Sequence, residues 1–431
     1  MTDIFTSDFR TTPYWWDRFP PAEDIPGEVP ASTDAVVVGS GYTGLHAALQ
    51  IARGGRSVVV VDALRLGEGC STRNGGQISH SVKPGHGELT RRYGEATARR
   101  ILADGRQSRS FIEKFVTDEN LDCAFAPCGR FHAALSARGF EKLRHDAENQ
   151  PAGFETRVTV VGRDAQREEI GSGLYHGGVV FHEHASIDPG RYHAGLLDLV
   201  RHAGATMLPL TRVTRISTGD AGAKVETARG TISTRDVVLA TNGYTDAVSG
   251  WHRRRIIPIG SYVIATEELP QALVDELDPK GRVFSDTRKV VYYYRSSPDR
   301  RRIVFGGRVS AAESDTATSA KRLHAEMVRI FPQLESCRIS HSWMGLVGYT
   351  FDTLAHVGRK DGVYHAMGYC GSGVGMASYL GMKTGRAVLG QADAATGLGE
   401  TDFPTRPFYS GKPWFLPAAV QFYRLRDRLG L

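Results

Sequence analysis

Residues 39–44, with the sequence GSGYTG, have the types and spacing that bind a phosphate group. Glycine recurs as G-x-G-x-x-G, and such a loop lets backbone N–H groups approach a pyrophosphate. Gly39 would make the tight turn, Gly41 would admit the phosphate and Gly44 would let helix and strand pack. Asp62 follows after about 20 residues, where a carboxylate accepts hydrogen bonds from ribose hydroxyls. The pattern therefore predicts a dinucleotide site.

The elements around this loop support that prediction. Residues 35–38 (AVVV) are typical of a parallel strand buried on both faces. Leu45–Arg53 is rich in Ala and Leu and ends at two glycines, which predicts a helix. A second run, Ser57–Val61, completes a β-α-β unit with Asp62 at its end. The acidic residue disfavours NADP, but the loop alone does not separate FAD from NAD, and a glycine-rich turn without ligand is the alternative.

Composition and charge exclude several other classes. With 431 residues, 41% hydrophobic and 23% charged, the chain is globular and larger than one ordinary core. No apolar run approaches the ~20 residues of a membrane span. The N-terminus has neither the basic leader nor the apolar segment of a secretory signal, so we expect a cytoplasmic protein. The arginines behind the net charge of +6 are dispersed, which argues against a nucleic-acid partner.

Metal and nucleophile chemistry have no signature in this sequence. The five cysteines are an odd number with no C-x-x-C pair, so we expect free thiols and no metal site. Neither G-x-S-x-G nor H-E-x-x-H occurs.

Three further motifs favour FAD. They are STRNGGQ at 71–77, ATNGY at 240–244 and GYCGSGVGM at 368–376. Together with residues 39–44, and in this order, they resemble the D-amino-acid oxidase superfamily of flavoproteins, most closely its gamma-glutamylputrescine oxidase-like branch. The resemblance covers nearly the whole chain, including the aromatic residues 14–16.

The resemblance implies FAD as the cofactor and places its contacts. Asn74, Gly75 and Gln77 would lie along the isoalloxazine ring, and the Val213 backbone would meet the adenine. The cofactor-binding residues expected in this way are Gly39, Gly41, Tyr42, Thr43, Gly44, Asp62, Ala63, Ser71, Arg73, Asn74, Gly75, Gln77, Val213, Thr241, Asn242, Gly371, Gly373, Val374, Gly375 and Met376.

The last motif also has a physical reason to contact a flavin. Met376–Thr384 is predicted as a helix, and a helix N-terminus at the pyrimidine end of the ring stabilises the negative charge of a reduced flavin. A glycine-rich loop that only allows close packing is the alternative. Sarcosine oxidases in this superfamily attach FAD through a cysteine in the segment equivalent to Ser342–Thr353. This chain has none there, so we expect non-covalent FAD.

These expectations define an α/β (α+β composite) fold. A Rossmann-like FAD-binding domain with a parallel central sheet accompanies an antiparallel-sheet substrate-binding domain, for which residues 256–309 show alternating runs. The predicted division is an N-terminal arm (1–30), a discontinuous FAD-binding domain (31–85, 155–250 and 340–431) and a substrate-binding domain (86–154 and 251–339).

Flavin amine oxidation moves a hydride from the carbon beside nitrogen to flavin N5, and water hydrolyses the imine. The resemblance implies a small primary or secondary amine, plausibly with a carboxylate, such as iminodiacetate, an N-substituted glycine or gamma-glutamylputrescine. Arg308 would pair with a carboxylate or lie on the surface, and Trp343 would form an aromatic wall or core packing. The substrate-site candidates, whose strand faces are not assigned, are Tyr262, Tyr294, Arg295, Arg308 and Trp343.

The electron acceptor stays open between O2 and another acceptor. Sarcosine oxidases carry a lysine, thought to activate oxygen, on the strand equivalent to Arg301–Arg308, and this chain has none there. A dehydrogenase that passes electrons to a quinone or a carrier protein is the alternative. A non-catalytic flavin redox sensor is a remote third reading, because no appended signalling module is visible.

Overall fold

The structure is a computed structural model that describes residues 4–25, 27–308 and 315–429, so residues 1–3 and 26 of the predicted arm lie outside it. The strands among these residues are β1 (Phe5–Arg10), β2 (Ser32–Val38), β3 (Val58–Val61), β4 (Gln77–Ile78), β5 (Arg130–Ala133), β6 (Val158–Val161), β7 (Gly178–Phe181), β8 (Ala185–Ser186), β9 (Thr206–Leu208), β10 (Val213–Gly219), β11 (Gly222–Thr227), β12 (Gly230–Leu239), β13 (Ile257–Thr266), β14 (Val283–Asp286), β15 (Tyr292–Ser296), β16 (Ile303–Gly307), β17 (Ile339–Tyr349), β18 (His356–Lys360) and β19 (Val363–Met367). The α-helices are α1 (Tyr42–Arg53), α2 (His86–Tyr93), α3 (Glu95–Asp118), α4 (Ala137–Glu148), α5 (Pro189–His202), α6 (Gly250–Arg253), α7 (Gln271–Leu277), α8 (Thr316–Ile330), α9 (Gly373–Val388) and α10 (Leu416–Leu429).

One sheet is parallel at its centre. There β19, β12, β2, β3 and β9 lie side by side and run in the same direction, while β10, β11 and β18 extend it by antiparallel pairing. The strands β2 and β3 are valine runs because both faces are covered. Val37 and Val60 pack with residues of α1, α5 and α9, whereas Val36 and Val59 pack with Ile256 on the opposite face.

The second sheet is largely antiparallel. Its order is β1-β17-β13-β16-β15-β14-β5-β7-β6, with parallel pairing only for β1 with β17 and for β14 with β5 among the described strands. Side chains alternate between its faces. One face packs on α8 through a core that includes Tyr262 and Met327, and the other carries Val263 and Trp343. The two sheets confirm the predicted composite fold.

The domain boundaries differ from the predicted ones. Strands β6 and β7 fall in the segment 155–250 assigned to FAD binding, yet both join the antiparallel sheet. Helix α3 falls in the segment 86–154 assigned to the substrate domain, yet Ile101 and Phe115 pack in the core with α1. The reason is that strand pairing and helix packing are non-local, so a boundary drawn where the local pattern changes misses them.

Helix limits also differ in detail. Helix α9 begins at Gly373 rather than Met376, and Gly94, at φ 79°, separates α2 from α3. Helix α10 was not predicted, because its apolar residues are interrupted by arginines. Among the described residues, no helix combines the length and the apolar character that crossing a membrane requires.

Helices α1 and α9 pack so closely that Gly381 has no room for a methyl group. An added Cβ would lie 2.4 Å from the Thr43 carbonyl oxygen. We expect Gly381→Ala to lower the free energy of unfolding by about 1–3 kcal/mol, because the helices must separate. Urea unfolding measures this change.

The matched control is Gly87→Ala on α2, where no atom lies within 4 Å of an added Cβ. Alanine is the better helix former, so this variant should keep or slightly raise the stability. Equal stabilities of G381A and G87A would contradict the packing of α9 on α1.

Candidate active site

The predicted motifs meet at one edge of the parallel sheet. The ends of β2, β12 and β19 share this edge, and Gly39, Ala240 and Gly368 follow them directly. An added Cβ on Gly39 would lie 2.9 Å from the Ala240 carbonyl oxygen. The Gly368 N–H donates to Asn242 Oδ1 at 2.9 Å. The carboxyl edge of such a sheet is the usual place for a ligand.

Helix α1 begins at this edge of the sheet, so the positive end of its dipole lies where the motifs meet. Its N-cap is Gly41, which has no side chain to cap the helix, and the Tyr42 N–H donates to Ser71 Oγ at 3.0 Å. An added Cβ on Gly44 would lie 1.9 Å from the Gly39 carbonyl oxygen, so only glycine closes this loop. A helix terminus of this kind binds phosphate.

Asp62 lies beside the loop at the end of β3. Its carboxylate accepts the Ser40 N–H at 2.8 Å, the Ser40 hydroxyl at 2.7 Å and the Leu64 N–H at 2.9 Å. A carboxylate has roughly four acceptor positions, so one is left for a ribose hydroxyl. The Thr211 N–H donates to the Asp62 carbonyl at 2.6 Å. The residues that precede Val213 therefore lie next to Asp62 and Ala63. Burial raises the pKa of Asp62.

A second helix N-terminus faces open space. Helix α9 begins at Gly373, and its N-cap Ser372 does not cap it with the side chain. An added Cβ on Gly373 would meet no atom within 4 Å, and one on Gly371 would meet Tyr349 Oη only at 3.7 Å. Two residues further along the helix, Gly375 packs tightly, because an added Cβ would lie 3.3 Å from the Ser108 carbonyl oxygen. The space beside Gly373, at the N-terminus of α9, is therefore open, whereas the helix packs against α3 at Gly375.

Three tryptophans hold the segment Ser71–Gln77 between the two sheets. Two come from the N-terminal arm and one from β17, and each donates its indole N–H. The bonds run from Trp15 to the Asn74 carbonyl (2.9 Å), from Trp16 to Thr72 Oγ1 (2.8 Å) and from Trp343 to the Arg73 carbonyl (2.9 Å). This segment is therefore fixed from the side of the antiparallel sheet.

The side chains of this segment are engaged with the protein. Gln77 Nε2 donates to the carbonyls of Phe284 and Tyr294, each at 3.2 Å. Arg73 donates to two carbonyls and lies over the Trp16 ring at 4.5 Å. An isoalloxazine ring would therefore meet the backbone and the packed surfaces of this segment rather than free side chains.

The strand faces separate the predicted substrate residues. Tyr262 and Tyr294 lie in the core that packs on α8, and the Tyr294 hydroxyl bonds to that of Tyr175 at 2.8 Å. Both point away from the segment 71–77, so their placement does not support a substrate role. Tyr293 takes that position instead, since an added Cβ on Gly75 would lie 2.9 Å from its ring.

The remaining substrate candidates are used in packing and in hydrogen bonds to the backbone. Arg295 shares the face of Tyr293 but donates to the carbonyls of Ile187 (3.0 Å) and Ser296 (2.9 Å). Arg308 donates to the Gly260 carbonyl at 2.8 Å. Trp343 is buried and donates to the segment 71–77, so it serves both packing and positioning.

A polar row that sequence reasoning missed crosses the same face. The register aligns His132, Ser285, Tyr293 and Gly306 on neighbouring strands. His132 Nδ1 and Ser285 Oγ are 2.8 Å apart, and Tyr293 Oη and Ser261 Oγ are 3.0 Å apart. Burial lowers the pKa of His132 to about 3 and raises that of Tyr293, so both are neutral at pH 7. No local pattern in the sequence marks this row, because it depends on the register of neighbouring strands.

Lys83 is a second residue that sequence reasoning missed. Its Nζ donates to Tyr349 Oη at 2.9 Å and lies 4.4 Å from the centre of that ring. An added Cβ on Gly371 would lie 4.0 Å from this Nζ. A cation therefore stands beside the N-terminus of α9. No pattern in the sequence marks this exposed loop lysine.

The residues present fit an extended dinucleotide. One helix N-terminus can take the pyrophosphate, Asp62 a ribose, and the open space before α9 a flat ring. By position in the fold, the predicted cofactor residues form three groups: those around the first glycine loop, β3 and β10 (Gly39, Gly41, Tyr42, Thr43, Gly44, Asp62, Ala63, Val213), those that follow β12 (Thr241, Asn242), and those of the segment 71–77 and the start of α9 (Ser71, Arg73, Asn74, Gly75, Gln77, Gly371, Gly373, Val374, Gly375, Met376).

Comparison with known proteins gives the family of the chain. The family model described as DAO, FAD dependent oxidoreductase, matches residues 34–386. The chain is 31% identical over 403 residues to gamma-glutamylputrescine oxidoreductase of Escherichia coli strain K12, covering 92% of this chain and 93% of that protein.

Two solved structures have a similar fold. Glycine oxidase from Geobacillus kaustophilus superposes with a TM-score of 0.72 at 17% identity, covering 88% of this chain and 99% of that one. Iminodiacetate oxidase from Chelativorans sp. BNC1 superposes with a TM-score of 0.67 at 16% identity, covering 87% and 98%.

The tryptophan contacts predict a measurable effect on FAD binding. Trp15→Phe keeps the aromatic packing but leaves the Asn74 carbonyl without its donor, so we expect the dissociation constant of FAD to rise about 10-fold. Titration of the apoprotein with FAD measures this. Trp414→Phe, at a site 71% exposed, is the control and should leave the constant unchanged. Equal constants for the two variants would contradict the positioning role of Trp15.

Proposed function

Because this chain belongs to the DAO family of FAD-dependent oxidoreductases, we propose that it oxidises a small primary or secondary amine that carries a carboxylate. The observation that carries the proposal is the polar row His132, Ser285 and Tyr293, with Ser261 beside it, facing the segment Ser71–Gln77. An otherwise apolar face with a few convergent polar groups is typical of a small-molecule site. The related enzymes are named for gamma-glutamylputrescine, glycine and iminodiacetate.

When bound, FAD supplies the hydride acceptor for the carbon beside nitrogen. The protein must hold that carbon in place and exclude water. Val263, Val304 and Trp343 form an apolar surface that excludes water next to the polar row. The hydroxyls of Tyr293 and Ser261 bond to each other and have acceptor capacity left for the N–H of an amine.

The neutrality of this face favours the reactive form of the amine. Tyr293 stays a phenol and His132 an uncharged imidazole at pH 7, because burial shifts both pKa values away from 7. No carboxylate of the described residues interacts with Tyr293, and a buried site of this kind disfavours the ammonium form of a substrate, since burial penalises charge. The amine therefore binds with its lone pair available.

For the electron acceptor we propose O2. The supporting observation is Lys83, whose ammonium group stands beside Gly371 and α9, although strand β16 lacks a lysine. A fixed cation at this place stabilises negative charge that develops on reduced oxygen. A dehydrogenase that delivers electrons to a quinone or carrier protein is the second candidate.

The substrate proposal predicts reduction without oxygen. Mixing the FAD-loaded protein anaerobically with iminodiacetate, N-substituted glycines or gamma-glutamylputrescine should bleach its yellow absorbance with at least one of them. Tyr293→Phe should slow this reduction about 10-fold, since one hydrogen bond to the amine is lost. Stopped-flow absorbance measures both effects.

Tyr292→Phe is the matched control, because this neighbour on β15 packs on the opposite face. It should leave the reduction rate unchanged. If none of these amines reduces the flavin, the proposed substrate class is wrong. If Y293F and Y292F react at the same rate, the polar row does not bind the amine.

The acceptor proposal predicts an effect of Lys83 on reoxidation alone. After anaerobic reduction, Lys83→Met should be reoxidised by air about 10-fold more slowly than the parent protein, whereas Lys83→Arg should retain most of the rate. Slow reoxidation of the parent protein in air, with fast reoxidation by an added quinone, would select the dehydrogenase instead.

A further inference from the structure

Arg130 carries a charge that no carboxylate balances among the described residues. Its Nε atom is shielded from solvent and has no acceptor, and no hydrogen bond or ion pair joins the guanidinium to any residue in 4–25, 27–308 or 315–429. Burial lowers the pKa of Arg130 to about 10. The contrast with other arginines of low exposure is clear, since Arg109 pairs with Glu113, Arg282 with Glu169 and Arg288 with Asp286.

Two histidines with unused nitrogens lie next to Arg130. The guanidinium lies 4.9 Å from the centre of the Phe181 ring, and His184 stacks on the same ring at 5.4 Å. His80 lies 4.9 Å from His184. Both ring nitrogens of His184, which is 0% exposed, and Nδ1 of His80 lack partners. The side chains of Arg130, His80 and His184 therefore form a cluster in which His184 is fully buried and Arg130 and His80 are partly buried, with four shielded nitrogens that lack partners. We call it the Arg130 cluster.

Unused buried donors indicate a missing partner. A buried charge or N–H without an acceptor is costly, and native structures keep such groups only where something satisfies them. A metal ion does not fit, because a guanidinium is a permanent cation with no lone pair to donate. In the described part of the chain, no group of three or more His, Cys, Asp or Glu residues is arranged to hold one. The ligand chemistry that suits a guanidinium and neighbouring imidazole N–H groups is an anion.

The Arg130 cluster adjoins the candidate active site. His80 and His184 lie at the ends of the short strand pair β4–β8, in which Ile78 pairs with Ala185. Strand β4 starts at Gln77, the last residue of the segment Ser71–Gln77. The Ile78 side chain lies 3.6 Å from an added Cβ on Gly375, at the start of α9. On β5, His132 of the polar row is two residues from Arg130 and so shares its face of the sheet.

We propose that Arg130, His80 and His184 form the pocket that binds the carboxylate of the amine substrate. The identity of this ligand rests on the proposed function. Arg130 donates in the planar geometry that suits a carboxylate, and His184 donates its ring N–H. This assigns the acid-binding role to Arg130 rather than to Arg295 or Arg308.

The charge of the cluster selects a monoanion. Burial lowers the pKa of His80 to about 4 and that of His184 well below its usual value, so both imidazoles are neutral at pH 7. The cluster then offers one positive charge, which one carboxylate balances and a phosphate dianion exceeds. The substrate therefore presents a single carboxylate here.

The test measures anion binding by the FAD-loaded protein in the absence of an amine. Acetate, propionate and inorganic phosphate are titrated at constant ionic strength, and flavin absorbance changes and thermal midpoints are recorded. We expect the monocarboxylates to bind more tightly than phosphate. Arg130→Met should weaken their binding about 10- to 100-fold, because a charge-assisted contact is lost.

Arg282→Met is the matched control, since this arginine of the same domain already has Glu169 as its partner. It should lose stability but keep carboxylate affinity. Should Arg130→Met fail to retain FAD, Arg130→Lys and His184→Asn replace it and should each weaken carboxylate binding. Unchanged affinity in the Arg130 and His184 variants, or no carboxylate binding by the parent protein, would overturn the proposal.

Failure of this proposal is distinguishable from failure of the proposed function. If carboxylates bind in an Arg130-dependent way but no amine reduces the flavin, the pocket is correct and the amine chemistry is wrong. If amines reduce the flavin and R130M leaves their KM unchanged, the chemistry is correct and the pocket is wrong. In the expected result, R130M raises KM far more than it changes kcat.

Discussion

The indole N–H groups of three tryptophans hold the segment on which the rest of the site depends. Trp15, Trp16 and Trp343 donate to three consecutive residues of the segment Ser71–Gln77, which itself follows the dinucleotide loop. A buried hydrogen-bond donor fixes its acceptor strongly, because leaving the carbonyl unpaired is costly. The antiparallel sheet and the N-terminal arm thereby set the position of a segment that belongs to the parallel-sheet domain. These contacts fix the antiparallel sheet against the segment Ser71–Gln77.

The two helix N-termini depend on a different constraint, which is space. Gly39, Gly44 and Gly381 sit where the backbone of another element leaves no room for a methyl group. Close packing brings α1 and α9 to the same edge of the parallel sheet, so that their positive ends can act on one extended anionic ligand. FAD, the cofactor of this family, has its diphosphate and its electron-accepting ring far enough apart to use both.

The sequence predicted the parts of this arrangement that are local. A glycine loop between a valine strand and a helix is encoded within residues 35–62, and four ordered motifs identified the family and the cofactor. The strand faces were not predictable, because residues 290–295 read VVYYYR and β16 reads IVFGG, which are apolar on both faces. Alternation gives no signal there. Tyr294 was therefore predicted as a substrate residue, although Tyr293 is the tyrosine that faces the segment Ser71–Gln77. Sheet membership of β6 and β7 depends on pairing with β5, which local patterns do not contain.

Lys83 and Arg130 differ in their partners from most of the partnered basic residues of this chain. Most arginines with a partner in the described residues meet a carboxylate or a carbonyl, as Arg53 meets Glu119 and Arg302 meets the Thr266 carbonyl, so the net charge of +6 does not collect into a binding patch. Lys83 and Arg130 differ, because the first meets a phenol and an aromatic ring and the second only an aromatic ring. Lys83 also lies near the start of α9, whose dipole adds to its field. An environment of uncompensated positive charge favours anionic ligands and the uptake of electrons by a nearby flavin, and both effects would serve the proposed oxidation of a carboxylate-bearing amine.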